Sequence, residues 1–207
     1  IQLEYSMRSG HYFDEDLLIA HAYRDATLSR YAFGQIVRYD LKADTLKWKY
    51  ETDTGGYYYA PILLENEIIY AGTTSGPSEF VALNILNGTV RWRKLNLQAW
   101  SYTLGGNAVY INEGADLVAL NKMNGQQLWR TKFPGGGFGQ SNIAYMGGFL
   151  YHSHSGSFFV LDGETGEILH QTILPDGSNS RNVSAGFGKV FVQSDFNLYC
   201  FKGWEAK

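Results

Sequence analysis

The sequence holds a single cysteine, Cys200, in 207 residues. An internal disulfide framework, a cysteine-built zinc site and any pair of adjacent cysteines are therefore excluded. Proline and methionine are scarce, at four and three. No apolar run approaches the roughly 18 residues that a membrane-spanning helix needs. No basic cluster occurs and the formal net charge is −3, which disfavours an electrostatic grip on nucleic acid. No helical period is sustained anywhere along the chain. The leading Ile1-Gln2-Leu3-Glu4-Tyr5 lacks the basic and apolar regions of a signal peptide. The compartment stays open on these grounds: it leans to the cytoplasm, or to the periplasm where a signal peptide has been removed.

What is abundant is glycine, at 24, and tyrosine, at 15. Hydrophobic residues make up 44% and charged residues 18%, the balance of a globular chain with a core. Many glycines and few prolines favour short strands joined by turns. Self-comparison then finds a repeat. Arg38-Tyr39-Asp40 through Trp48 matches Ala82-Leu83-Asn84 through Trp92, Ala119-Leu120-Asn121 through Trp129, and Val160-Leu161-Asp162 through His170. A degenerate fifth copy begins at Tyr199-Cys200-Phe201 and places Phe201 at the Asp/Asn position. The copies recur about every 40 residues, the length of one four-stranded propeller blade.

Strands can be named inside a repeat. Pro61 to Leu64 is an inner strand, Glu65-Asn66 a turn, and Glu67 to Ala71 a second strand. Glu79 to Leu83 follows, then the Asn87-Gly88 hairpin turn and the outer strand Thr89 to Arg93. The expected fold is all-β: one domain over 1–207, a five-bladed β-propeller of four-stranded antiparallel blades. The blades fall at about 9–51, 58–95, 100–132, 141–173 and 181–201. The N-terminal strand, residues 1–5, completes the last blade and removes two open sheet edges.

Leu161-Asp-Gly-Glu-Thr-Gly-Glu-Ile-Leu169 and the related units ending in Trp92 and Trp129 resemble the PQQ-like repeat of quinoprotein-dehydrogenase-like propellers. The resemblance covers nearly the whole chain and is strongest from 60 to 200. It implies that Trp48, Trp92 and Trp129 are structural rings packed between neighbouring blades. Family dehydrogenases are much longer, hold a quinone and a calcium ion over the axis, and commonly carry adjacent cysteines. With five repeats and one cysteine, no quinone or other cofactor is expected here, because the fold does not carry the chemistry.

Hydrolysis of a glycoside needs two carboxyls about 5–9.5 Å apart. The expected inner strands, Gly10 to Phe13, Pro61 to Leu64, Ser101 to Leu104, Asn142 to Tyr145 and Asn182 to Ala185, carry none. The acids Asp14-Glu15-Asp16, Glu65 and Glu67 read as solvated turns. An enzyme is therefore not expected, and a propeller hydrolase is disfavoured. His152 and His154 share one face of an expected strand, but no third metal ligand is nominated. Loops joining each outer strand to the next inner strand are rich in glycine and rings. They nominate Arg8, Tyr57, Tyr58 and Tyr59, then Trp100, Tyr102, Phe138, Gln140 and Arg181 as a partner-binding face. Strand alignment sets Arg8 with Tyr59, Gln140 and Ser180, and Ser9 with Trp100 and Arg181. Tyr, Trp and Arg dominate binding hot spots. The function expected is a non-catalytic scaffold that binds a protein or peptide on this face, in one version a bacterial immunity protein that inhibits a toxin. The alternative is a carbohydrate- or small-ligand-binding propeller.

Overall fold

A computed structural model describes residues 7–23, 33–52, 58, 60–74, 77–134, 142–154, 156–178 and 180–205, with backbone alone at 7–9, 21–23, 33, 180 and 181. Among these residues every regular element is a β-strand. Sheet 1 contains β1 (Met7–Phe13), β2 (Asp16–Tyr23), β3 (Phe33–Asp40) and β4 (Thr45–Glu51). Sheet 2 contains β5 (Leu63–Glu65), β6 (Ile68–Gly72), β7 (Glu79–Asn84) and β8 (Val90–Leu95). Sheet 3 contains β9 (Ser101–Gly105), β10 (Ala108–Asn112), β11 (Asp116–Asn121) and β12 (Gln127–Lys132). Sheet 4 contains β13 (Ile143–Met146), β14 (Phe149–His154), β15 (Ser157–Asp162) and β16 (Ile168–Ile173). Sheet 5 has three strands, β17 (Ser180–Gly186), β18 (Lys189–Ser194) and β19 (Leu198–Lys202). Strands in each sheet are antiparallel and follow chain order. The proposed closure by residues 1–5 lies outside the described residues.

The chain forms two compact units. One spans Ile1–Trp100 with Met123–Gly125, and the other Ser101–Lys122 with Gln126–Lys207. The first holds sheets 1 and 2, and the second holds sheets 3, 4 and 5.

Local chemistry explains the hairpins. Between the first and second strands the chain reverses on two residues with positive φ: Asp14-Glu15 at 50° and 63°, Asn66-Glu67 at 49° and 60°, Gly147-Gly148 at 62° and 91°. Positive φ at both positions suits the right-handed twist of the flanking strands. Between the third and fourth strands an acidic or amide side chain folds back on its own turn. Asp40 Oδ1 accepts from the N–H groups of Lys42 and Ala43, and Asp162 Oδ1 from those of Glu164 and Thr165. That is why the repeat carries Asp or Asn there. The register in sheet 5 pairs Lys189 with Lys202 where sheet 4 pairs Phe149 with Asp162. Lys202, not Phe201, therefore occupies the Asp/Asn position. A lysine cannot accept the turn N–H groups, so the fifth copy lost its signature and read one residue out of place.

Two further acids are re-placed. The turn is Asn66-Glu67, so Glu65 belongs to β5, an inner strand. Asp16 opens β2 and is buried beside Arg38; its strand, not the preceding turn, sets its environment. The inner strands are thus not free of carboxylates.

The outer strand of sheets 1 to 4 bulges at one place. Pairing shifts between Arg38 and Tyr39, Ala82 and Leu83, Ala119 and Leu120, and Val160 and Leu161. The bulge precedes Trp48, Trp92, Trp129 and His170 and re-aims each ring. Within the first unit Trp48 lies over Gly88 and donates its Nε1–H to the Ile85 carbonyl at 2.9 Å. Trp92 lies over Gly125. Within the second unit Trp129 lies over Gly166 and donates to the Gly163 carbonyl at 3.2 Å. A Cβ on Gly88, Gly125 or Gly166 would sit 2.6 to 2.7 Å from ring carbons, so glycine is required for the rings to approach. The middle strands β6, β7, β10 and β15 are buried over most of their length, and apolar cores join sheets 1 and 2 in the first unit and sheets 3 and 4 and sheets 4 and 5 in the second.

Candidate functional site

In the first unit the segment between β4 and β5 comes back to the sheet at Tyr58, whose backbone bridges Thr73. That bridge turns the Tyr58 ring inward, where it is fully buried among Trp48, Ile62 and Ala71. Tyr58 is therefore core and not a side chain offered to a partner. Tyr57 and Tyr59 lie outside the described residues. Trp100 is half-buried. Thr73 ties this end together: its N–H donates to the Glu79 carbonyl, its Oγ1 accepts from the Glu79 N–H, and its carbonyl accepts from the Ala99 N–H.

Glu79 heads β7 and is fully buried. The Tyr50 hydroxyl donates to its Oε1 at 2.7 Å, and Arg93 lies 3.8 Å from Oε2. Burial first, and then the Glu79 carboxylate, push the Tyr50 hydroxyl up from its usual range. A carboxylate held between a phenol and a guanidinium is neutralised in place. Sequence reasoning placed Glu79 in a strand and gave it no role; the one signal was a charge at the head of an apolar strand.

In the second unit Tyr102 is buried in β9 and so is core rather than contact surface. Phe138 and Gln140 lie outside the described residues. Where β13 and β17 begin, Asn142 Nδ2 donates to Asn182 Oδ1 at 2.9 Å, and Asn182 Nδ2 donates to Gln193 Oε1 at 3.1 Å. These exposed amides join sheets 4 and 5. Beside them Asp176 accepts from the Ser194 hydroxyl, from Asn197 Nδ2 at 2.8 Å and from the Ser178 N–H at 3.1 Å. Those hydrogen bonds, Ser194 first and then Asn197, hold its carboxyl well below the usual range.

Beneath this surface His152 and His154 are both buried. The Phe133 ring lies 5.0 Å from the His152 ring and 5.3 Å from that of His154, and the two imidazoles are 6.2 Å apart. The His152 Nδ1–H points to the Asn142 carbonyl at 3.4 Å. Burial lowers His152 to about 4, against a weaker upward pull from that carbonyl. Both imidazoles are packed against Phe133 in the aromatic core, and His152 is held neutral there. Among the described residues no group of three or more His, Cys, Asp or Glu could hold a metal ion. A cleft of about 390 Å³ between sheets 3 and 4 is lined by Tyr110, Tyr145, Asp162, Glu164 and turn backbone.

Arg8 and Arg181 are brought into structural equivalence. The pairing of β1 with β2 shifts between Met7 and Ser9, and that of β17 with β18 between Ser180 and Asn182. Each arginine is thus the bulged residue of its inner strand. Alignment without the bulge set Arg8 with Ser180 and missed this. Bulges are a common way to re-aim a residue near a functional surface.

No protein of curated function matches the chain in sequence. Among solved structures, BamB from Moraxella catarrhalis superposes with a TM-score of 0.73 at 17% identity, over 96% of this chain and 57% of that one. The quinohemoprotein alcohol dehydrogenase ADHIIG from Pseudomonas putida HK5 gives 0.68 at 14% identity, over 89% and 42%. The computationally designed Ika4 protein gives 0.58 at 15% identity, over 72% and 92%. At such identities the likeness is one of fold. The chain spans less than two thirds of either natural protein's length. The family model described as outer membrane protein assembly factor BamB matches residues 8–200. With the repeated Asp/Asn turn, the bulged outer strand and the ring-on-glycine contact in hand, that match places the chain in the BamB family of PQQ-like repeat propellers.

Proposed function

We propose that the chain is a non-catalytic protein-binding scaffold. The observation that carries this reading is the match of residues 8–200 to a family described as an assembly factor. The contact residues on this reading are Arg8, Tyr57, Tyr59, Trp100, Phe138, Gln140 and Arg181, with the Asn142–Asn182 amides added from the hydrogen-bonded rim. Tyr58 and Tyr102 drop out, because a buried ring cannot be lost to a partner. Exposed amides suit main-chain recognition. A bulged arginine adds a cation that can be aimed at a carboxylate. A toxin-inhibiting immunity protein is the narrower version, and it turns on which protein is bound.

The test is affinity capture from an extract of the source organism. Wild type is compared with Trp100→Ala and with Arg8→Ala plus Arg181→Ala, each checked for folding by circular dichroism. One stoichiometric protein retained by wild type and lost from the folded variants supports the reading, and a toxin among the captured proteins supports the narrower version. Equal capture by all forms removes these residues from the interface. Capture of nothing by any form overturns the scaffold reading.

A further inference from the structure

The cleft of about 390 Å³ between sheets 3 and 4 has the size of a small-ligand site. It opens among the turn residues Gly106-Asn107, Gly148 and Gly163-Glu164. Asn142 and the rim amides stand at the other end of β13. All the residues that line the cleft belong to the second unit.

Two glycines shape it. By register Gly105 matches Phe13 of sheet 1, and Gly163 matches Ile85 of sheet 2. Phe13 and Ile85 pack into the core between sheets 1 and 2. Glycine removes both side chains in the second unit. It lets Tyr145 lie over Gly105, where a Cβ would sit 2.3 Å from the ring. Tyr145 stacks on Tyr110, with centroids 5.6 Å apart and 17° between the planes. Tyr110 donates its hydroxyl to the Gly163 carbonyl at 3.0 Å. The half-buried rings of Tyr145 and Phe149 are thus walls of a braced cleft.

The charge beside these rings is uncompensated. At the folded-back turn position sheets 2 and 3 carry neutral Asn84 and Asn121, whereas sheets 1 and 4 carry Asp40 and Asp162. Lys47 answers Asp40 at 3.2 Å. By register, sheet 4 has Leu169 where sheet 1 has Lys47. Among the described residues neither Asp162 nor Glu164 has a Lys or Arg partner, and no Lys, Arg or His lines the cleft. Burial first, and then Tyr145, Asp162 and Glu164, push the Tyr110 hydroxyl up, so both carboxylates act on the inner wall. Two carboxylates with no third ligand do not make a metal cage. Rings beside carboxylates suit a cation on an apolar stem.

We propose that the cleft binds an organic cation, a guanidinium or primary ammonium on an aliphatic stem. The carboxylates of Asp162 and Glu164 accept from its N–H groups, and the Tyr145 and Phe149 rings cover its stem. A free amine and an arginine or lysine side chain of a partner share this chemistry. The site is separate from the contact residues proposed above, and the two stand or fall apart.

The probes are n-butylguanidinium, its uncharged isostere n-butylurea, and a capped Gly-Gly-Arg-Gly-Gly peptide. Each is titrated into the full isotope-labelled chain, with the Gly148 and Gly163 amide resonances as reporters. Saturable shifts are expected with n-butylguanidinium, and binding of n-butylurea on the order of tenfold weaker or worse. Asp162→Asn removes the charge and keeps the turn acceptor, as Asn84 does for the Leu86 N–H. That variant and Glu164→Gln should each weaken binding, and the two together should abolish saturation. A peptide that binds more tightly than n-butylguanidinium assigns the site to a partner's side chain, and equal or weaker binding assigns it to a free small cation. Equal affinity for n-butylguanidinium and n-butylurea overturns the proposal. Undiminished binding by the folded double variant does so too, as does the absence of any saturable shift.

Discussion

Arg38 stands where sheets 2, 3 and 4 carry Ala82, Ala119 and Val160, opposite the aromatic residue of the outer strand. A guanidinium in that place has to be neutralised. Its Nε–H donates to Asp16, and its Nη1–H donates to the Ile85 carbonyl at 3.0 Å. Lys47 reaches Asp16 at 2.9 Å from the half-exposed side. Burial alone would raise the Asp16 carboxyl, but hydrogen bonds from Lys47 and Arg38 hold it below its usual range. Asp16→Ala leaves a buried cation and should cost roughly 3–5 kcal/mol. Lys47→Ala removes a partly solvated pair and should cost about 1 kcal/mol or less. Urea denaturation separates the two; equal losses would show that Asp16 is not the centre of the cluster. Asp16 was illegible because it follows Asp14 and Glu15, and three acids in a row look like a solvated turn. Its partner lies 22 residues away, and no local pattern announces such a pairing. The burial of Tyr58 was hidden for a like reason, since a run of three tyrosines among glycines gives no sign of which ring turns inward.

At the scale of the element, the turns were legible because φ leaves a mark on residue choice. Asn-Gly, Gly-Gly and Asp/Asn appear where the chain needs left-handed backbone or a folded-back acceptor. Which glycine meets which ring was not legible, because the partners lie about 33 to 40 residues apart in the sequence, as Trp48 and Gly88 do. Gly88 has φ of +72° with Trp48 on top of it, whereas Gly148 has φ of +91° with nothing within 4 Å. Gly148→Ala should therefore cost about 1 kcal/mol, from backbone strain alone. Gly88→Ala carries the same strain plus a clash with a buried indole, and should cost at least twice that. Thermal or urea unfolding of the two variants checks it, and a smaller loss at Gly88 would mean that the Trp48 contact is not tight. The bulges at Arg8 and Arg181 escaped sequence alignment because a bulge inserts a residue without changing composition.

For the whole molecule, acid should act in two stages. His152 has its folded pKa lowered to about 4 from an ordinary 6.5. Between those values the unfolded chain binds a proton that the folded chain refuses, so stability falls as pH drops through that window. The full effect is roughly 3 kcal/mol. Asp16 and Asp176 have depressed folded values. Their contribution is complete above the ordinary 3.8 and fades as pH falls below it. The melting temperature should therefore decline from pH 6.5 toward 4 and drop again in stronger acid. His152→Gln should flatten the first stage and leave the second. A melting temperature that is constant from pH 7 to 4.5 would contradict the burial of His152 as a neutral ring.

The ring-on-glycine contact also bears on how such a chain lengthens. Gly88 receives Trp48 while Trp92, four positions on, is received by Gly125. The second and third repeats, with Gly88 and Trp92 and with Gly125 and Trp129, thus each carry a socket and a plug within one short stretch of sequence. Because this join is head-to-tail and not self-complementary, a repeat duplicated in tandem arrives with both halves already matched. Gene growth by whole repeats then needs no new interface. A duplication that cuts between the glycine and its tryptophan would break two joins at once.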